Sequence, residues 1–307
     1  MRLPGGVAIT PTALAGEGES EFRRLAAEFC ESRLAVAGLV LFAAVAAVAV
    51  LAPLVSPQDP YDLRQLSVLE GKQPPGSPAM AGFRFWLGSD DQGRDILSGI
   101  FYGLRISLGV GVLSALIALG IGVLAGLTAA YFGGPLDSLI MRVVDIQLSF
   151  PAILVALILL AVLGQGVDKI IIALVTVQWA YYARTMRSSA LVERHKEYIE
   201  AAHCLALDRR RILFRHLLPN SLPPVIVVVT VQVAHAIALE ATLSFLGIGL
   251  PITSPSLGLL IAKGFQYLLS GTYWISFFPG VALLIAIVAI NLVADQLRDV
   301  LNPRLQK

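Results

Sequence analysis

Two sets of residues in this chain have the types and spacing for specific work, and neither is arranged to make or break bonds. The first is Glu200-Ala201-Ala202, then a small residue at Ala206, a basic run at Arg209-Arg210-Arg211 and Arg215, and His216-Leu217-Leu218-Pro219-Asn220. Tyr198 to Leu207 is built for a helix, because Ala201, Ala202 and Ala206 supply high helix propensity. On such a helix Glu200, Cys204 and Leu207 share one face by i, i+4 and i+3 spacing. Small side chains let the groove of a partner close on a helix backbone. Ile212, Leu213 and Phe214 add apolar contact, and Pro219 stops the element. The plainer alternative is a solvated basic loop that only fixes topology. The second set, Pro151, Gln232, His235 and Glu240, lies in apolar sequence. A carboxylate at mid-membrane costs about 2.5–3.5 kcal/mol on insertion scales, so Glu240 must face protein or water. Gln232 and Glu240 are therefore candidates for a polar translocation path, against the alternative of a buried pairing inside the chain, which is the reading given to His235. Pro151 removes a backbone donor and bends its helix, which serves a pathway wall or a packing bend equally.

Other chemistries lack their residues. The four histidines, His195, His203, His216 and His235, show no metal-ligand spacing and no Cys-x-x-Cys accompanies them, so no metal site is assigned. No catalytic set and no cofactor motif stands out. The chain has no Gly-x-x-x-x-Gly-Lys-Ser/Thr loop, so nucleotide must bind elsewhere. Nothing points to nucleic acid. Cys30 and Cys204 fall in segments expected in the cytoplasm, where thiols stay reduced, and are read as free.

The elements that position these residues follow from composition. The 307 residues are 56% hydrophobic and 14% charged, against about 25% charged in soluble domains. A helix needs about 20 apolar residues to cross a bilayer. Six candidates appear: Leu34–Val55, Ser107–Phe132, Leu139–Leu163, Ile170–Thr185, Pro224–Leu250 and Ile275–Ala294, the fourth short and interrupted by Gln178. The first run is longer than the apolar core of a signal peptide and is read as an uncleaved span. An even number of spans puts both termini on one side. With the N-terminus inside, the cytoplasmic segments hold more than twice as many Lys and Arg as the external ones, which sets the orientation. Residues 1–20 have no apolar periodicity and are expected to be disordered; Glu21–Ser32 reads as a short amphipathic helix. Ser56–Leu104, rich in Pro and Gly, reads as an external ordered coil. Ala118, Gly122 and Gly126 form a small-residue stripe for close helix packing within the chain. Arg142 and Asp145, spaced i, i+3, read as a local ion pair, and Asn291 and Asp295 share a face near the inner end of the last span.

The order of residues in the first set resembles the signature of ATP-binding-cassette importer permeases: Glu-Ala-Ala, three residues, a small residue, nine residues, then His216-Leu217-Leu218-Pro219-Asn220. Further stretches narrow the resemblance to the dipeptide/oligopeptide/nickel branch, C-type subunit. They are Leu87-Gly88-Ser89-Asp90 with Gly93-Arg94-Asp95, Tyr102-Gly103-Leu104-Arg105-Ile106-Ser107-Leu108, Leu243-Ser244-Phe245-Leu246-Gly247-Ile248-Gly249, and the tail through Asn302-Pro303-Arg304. The resemblance implies an all-α membrane protein of the type I importer fold, with six transmembrane helices and a cytoplasmic coupling helix. Its implied organisation is a cytoplasmic segment at 1–33, a first span at 34–55, an external loop at 56–104, a five-helix permease core at 105–297 with the coupling helix at 197–220, and a cytoplasmic tail at 298–307. The implied partners are a related B-type permease, two cytosolic ATPase subunits and an external substrate-binding protein, in a bacterial inner membrane. The substrate would be a dipeptide or oligopeptide, with nickel or glutathione as the alternative inside the family. Glu200, Ala201, Ala202 and Ala206 would sit at the ATPase groove, with Arg215, His216 and Pro219 supporting. Two departures stand out: Ala206 replaces the family's Gly, and Ile252, Thr253 and Leu257 stand where the family tends to show Pro, Pro and Trp. Because Ala adopts positive φ only at a cost, the first departure predicts a changed turn or a longer helix. An ion-coupled carrier, suggested by Glu240 and the broken third span, is the rival class; a signalling or scaffold role has little support.

Overall fold

Long uninterrupted apolar runs leave the backbone no partner in lipid except itself, and helices result. The structure, a computed structural model, describes residues 28–301 except 252, 253 and 255. The expectations for residues 1–20, for Ile252 and Thr253 and for the tail beyond residue 301 lie outside the described residues; of Glu21–Ser32, residues 28–31 are described and helical. The helices are α1 (Arg33–Val55), α2 (Ile96–Phe132), α3 (Gly134–Ser149), α4 (Ala152–Leu163), α5 (Val167–Arg194), α6 (Glu197–Cys204), α7 (Arg209–Arg211), α8 (Leu218–Ser221), α9 (Pro223–Phe245), α10 (Leu257–Phe265) and α11 (Trp274–Val300). Two short strands, β1 (Ser77–Pro78) and β2 (Arg84–Phe85), pair antiparallel.

Four of these helices, α1, α2, α9 and α11, are long and apolar enough to cross a membrane. The pair α3 and α4 makes a fifth apolar stretch. The sixth expected span, Ile170–Thr185, lies inside the 28-residue α5. That helix has the length to cross, but Gln178, Tyr181, Tyr182 and Arg184 make it less apolar than the others.

Three local expectations are corrected. The coil expected to reach Leu104 ends at Asp95, because α2 begins at Ile96. The Asp95 carboxylate caps it, accepting from the Ser98 N–H at 2.8 Å and the Ser98 hydroxyl at 2.6 Å, and this satisfies an N-terminal donor that would otherwise be orphaned. Pro151 does more than kink a span: it separates α3 from α4, which meet at 91°. Its missing N–H and its ring are incompatible with one continuous helix there. Asp145 does not pair with Arg142; it takes the Arg184 guanidinium of α5, while Asp137 accepts from Arg187 Nε at 2.5 Å and Nη2 at 2.6 Å. Two ion pairs thus join α3 to α5.

The segment between α1 and α2 is folded. Gly88 and Gly93 have φ of +89° and +78°, and a Cβ on Gly93 would collide with the Ser67 carbonyl. The turn they make places the Ser89 carbonyl where Trp274 Nε1 donates to it at 3.2 Å, so the segment is fastened to the start of α11. Gln58 accepts from the Asp95 N–H at 2.7 Å and its own N–H donates to Ser98 Oγ at 3.2 Å, tying the end of α1 to the start of α2.

The centre of the molecule is the contact of α2 with α5. A Cβ on Gly122 would lie 2.5 Å from the Trp179 carbonyl, and one on Gly126 would collide with the Ala183 carbonyl. The small-residue stripe is therefore a packing seam within the chain, as close approach of two backbones requires.

Candidate functional site: the exposed handle and the polar interior

After α5 ends at Arg194 the chain turns into α6, eight residues from Glu197 to Cys204. The expected helix to Leu207 stops short for a visible reason. The Leu207 N–H donates to the Ala202 carbonyl at 3.2 Å and the Ala206 N–H to the His203 carbonyl at 2.9 Å, while Ala206 has φ +52°. Those two crossed bonds and a left-handed residue form a Schellman ending, the conformation that glycine adopts most readily. Leu207 consequently leaves the face of Glu200 and Cys204 and packs inward.

Burial divides α6 cleanly. Ile199 and Ala202 are buried, whereas Glu200, Ala201, His203 and Cys204 are exposed, and Leu205 is 73% exposed. Beyond Ala206, α7 carries three exposed arginines, then Ile212–Leu217 forms a π-helical turn that leads into α8. That wider turn buries Ile212, Leu213 and Leu217 while Phe214 and Arg215 stay outside; His216 is half-buried and Pro219 exposed. Ile199, Ala202, Ile212 and Leu217 join one core with Leu127 and Ala130 of α2, Tyr182 and Met186 of α5 and Val225 of α9. Tyr131 stacks on His203 with ring centres 6.4 Å apart, and Arg194 donates to the Ala130 carbonyl at 2.8 Å. Glu193 accepts from Lys196 Nζ at 2.6 Å and from the Tyr198 hydroxyl at 2.7 Å. Burial and that bond push the Tyr198 phenol up to about 12, so it remains a donor at neutral pH. The handle is an exposed small-residue helix on a buried apolar foundation.

The second set of residues separates. Glu240 is 0% exposed. Its Oε2 accepts from the Ser107 hydroxyl of α2 at 2.7 Å and its Oε1 from Ser244 at 2.8 Å. Gln232 lines an open cavity between α4, α5 and α9 together with Gln178 and His235, and His235 is exposed there rather than buried. Pro151 is exposed at the α3–α4 break. Pro151 thus precedes two residues, Ala152 and Ile153, that line the same cavity as Gln232, whereas Glu240 lies apart, buried. Sequence alone does not reveal Gln178 and Ser107 as partners, because they lie 54 and 133 residues from Gln232 and Glu240.

The segment carrying both the handle and the polar interior matches a family model. Residues 118–307 match the "binding-protein-dependent transport system inner membrane component", and residues 20–75 match the "N-terminal TM domain of oligopeptide transport permease C". The chain belongs to the ABC importer permeases of the dipeptide/oligopeptide/nickel family, C-type. The dipeptide transport system permease protein of Bacillus subtilis (strain 168) is 36% identical over 277 residues, covering 90% of this chain and 84% of that one. The oligopeptide transport system permease protein of the same organism is 36% identical over 281 residues, covering 91% and 88%. Among solved structures, the inward-facing MetNI methionine ABC transporter aligns with TM-score 0.51 at 21% identity, over 67% of this chain and 96% of that chain. That likeness confirms the type I importer permease fold. The permease is thus a multi-pass inner-membrane transport subunit.

In this permease the alanine at 206 leaves the turn in glycine's geometry. A left-handed non-glycine residue costs about 1–2 kcal/mol, offset in part by the larger unfolded-state freedom of glycine, about 0.5–1 kcal/mol. Ala206→Gly is therefore expected to raise the thermal midpoint of the detergent-solubilised protein by about 1–3 °C. A lowered midpoint would mean that the left-handed turn is not the native one.

Proposed function

We propose that this permease is the C-type subunit of an ATP-driven importer for dipeptides or oligopeptides, paired with a B-type permease. Two cytosolic ATPase subunits hydrolyse the ATP, and an external binding protein delivers the peptide to the folded segment between α1 and α2. Both termini lie in the cytoplasm, as the distribution of Lys and Arg supports. The observation that carries the reading is the division of α6: Glu200 and Ala201 project outward with little bulk, while Ile199 and Ala202 anchor the helix on α2, α5 and α9. Ala206 ends the helix, Pro219 is exposed in α8, and Arg215 and His216 flank the docking face. The relatives named for dipeptide and oligopeptide transport support the peptide substrate over nickel or glutathione.

In this mechanism the ATPase groove closes on α6 when ATP draws the two ATPase subunits together. Because α6 shares its core with the ends of α2, α5 and α9, it carries them along, and the pathway opens outward to receive peptide. Hydrolysis releases the ATPases and reverses the motion. Gln232 contacts the moving peptide, Glu240 holds the helices that surround it, and the break at Pro151 lets α4 turn away from α3.

Cys204 offers a direct test, since its thiol is exposed on α6. In the assembled complex, with Cys30→Ser to remove the other thiol, a short bismaleimide is expected to join Cys204 to a cysteine placed in the ATPase groove, with a yield that changes on adding ATP. Failure of Cys204 to join the ATPase at any nucleotide state would overturn the coupling assignment.

A further inference from the structure

The cavity beside Gln232 has a chemical character that the coupling mechanism does not use. It encloses about 400 Å³ between α4, α5 and α9, inside the range of about 300–1,000 Å³ typical of small-ligand sites. Its polar lining consists of Gln178, Gln232, His235, Tyr181 and Thr242, set among Ile153, Val177 and Leu239. No carboxylate, ammonium or guanidinium lines it.

The amides are held in fixed positions. Gln178 Nε2 donates to the Gln232 backbone carbonyl at 3.1 Å, and Gln232 Oε1 lies 3.3 Å from His235 Nδ1. Gln178 and Gln232 are only 3% and 5% exposed, so their rotamers are set by packing. Yet Gln178 Oε1 is buried without a hydrogen-bond partner. A buried acceptor left unpaired costs about 1–3 kcal/mol, and such groups mark sites where a missing donor belongs.

We infer that this cavity is a peptide-contact site of the translocation path, which reads the main chain of the substrate through the Gln178, Gln232 and His235 side chains. Side-chain amides and a peptide group present the same pairing of one acceptor with N–H donors, so each can satisfy the other. Gln178 Oε1 is closed to solvent, and a turn of its amide toward the cavity would let it accept a peptide N–H. The amide N–H groups of Gln232, or the His235 ring, would donate to a peptide carbonyl. The aliphatic wall accepts varied side chains without selecting one by charge. Such a site binds what all short peptides share. It is poorly made for a divalent metal, which would require several imidazole, thiolate or carboxylate ligands in place of one histidine.

This inference rests on the peptide-import reading, and the test separates the two. The complete importer is reconstituted in proteoliposomes with its binding protein and ATPases, and radiolabelled trialanine is the probe. With p-benzoylphenylalanine in place of His235, illumination during turnover is expected to label this permease with trialanine. Excess unlabelled trialanine should suppress the labelling, and the same group at exposed Leu284 of α11 should give none. Gln178→Leu and Gln232→Leu are each expected to slow trialanine uptake at least fivefold. If the wild-type importer moves trialanine but position 235 labels only lipid or the partner permease, the site is wrong while peptide import stands. Because position 235 is exposed, that result holds even if a Leu variant folds poorly. Wild-type uptake in both Leu variants would likewise remove the site. If the wild-type complex imports neither trialanine nor dialanine, both readings fall.

Discussion

Ala201→Trp is expected to cut peptide uptake by at least about tenfold while the protein remains in the membrane at its normal level. The residue is exposed on α6 and its side chain is not part of the apolar core beneath that helix, so a bulky side chain is accommodated in the isolated subunit. In the complex it would stand where a partner groove closes on the helix backbone. Losing one well-packed contact of this kind removes about 2 kcal/mol or more of binding, and 1.4 kcal/mol is already a factor of ten. Glu200→Arg should act in the same direction through charge. Ala202→Trp is the informative contrast: Ala202 is buried beside Leu127 and Met186, so that variant is expected to lose protein from the membrane as well as uptake. Transport, ATPase co-purification and membrane level, measured together, separate the two cases. Normal uptake in Ala201→Trp would show that this face docks nothing.

The second large effect is expected at Glu240. Its carboxylate joins α2 to its own helix α9 through Ser107 and Ser244. Glu240→Ala strips two hydroxyls of their acceptor and opens a cavity. Hydrogen bonds between membrane helices average about 0.6 kcal/mol each, and removing a large buried side chain adds about 2–4 kcal/mol. The solubilised complex should therefore melt well below the wild type. Glu240→Gln keeps the shape and one acceptor oxygen, and its NH2 can donate to the other serine once that hydroxyl turns, so it should retain most of the stability and most of the uptake. Ion-coupled transport through this residue would require the opposite pattern, with uptake lost in Glu240→Gln despite normal stability. The pair of variants thus decides between a tie and a proton carrier.

How far the sequence was readable depended on whether a feature was periodic or relational. Apolar runs located α1, α2, α9 and α11, because lipid imposes the same demand on every residue of a span. The handle was readable for another reason: its residue types and their spacing occur together, and α6 appeared within a few residues of its expected place. What failed was contact between distant positions. Asp145 sits three residues from Arg142 yet pairs with Arg184, since the 91° break after α3 brings α5 alongside. Glu240 stays open between a pathway and an internal pairing on sequence alone, because nothing in α9 reveals that Ser107, 133 residues away, donates to it. Ala206 suggested an altered turn, but tertiary packing of Leu207 keeps the left-handed form despite its cost. Asp95 as a cap was legible in principle, being an Asp followed three residues later by Ser98 at the edge of an apolar run.

The helix α2 runs unbroken for 37 residues, about 55 Å at 1.5 Å per residue, against a hydrocarbon layer of about 30 Å. One end is fixed by Asp95 beneath the folded segment between α1 and α2, and the other carries Leu127 and Tyr131 against the handle. It therefore behaves as a lever with no joint along its length. A tilt of about 10° about one end displaces the far end by about 10 Å, enough to shift an entrance by the width of a helix. Motion delivered on the ATPase side would then reach the opposite face of the membrane without a relay of intermediate contacts.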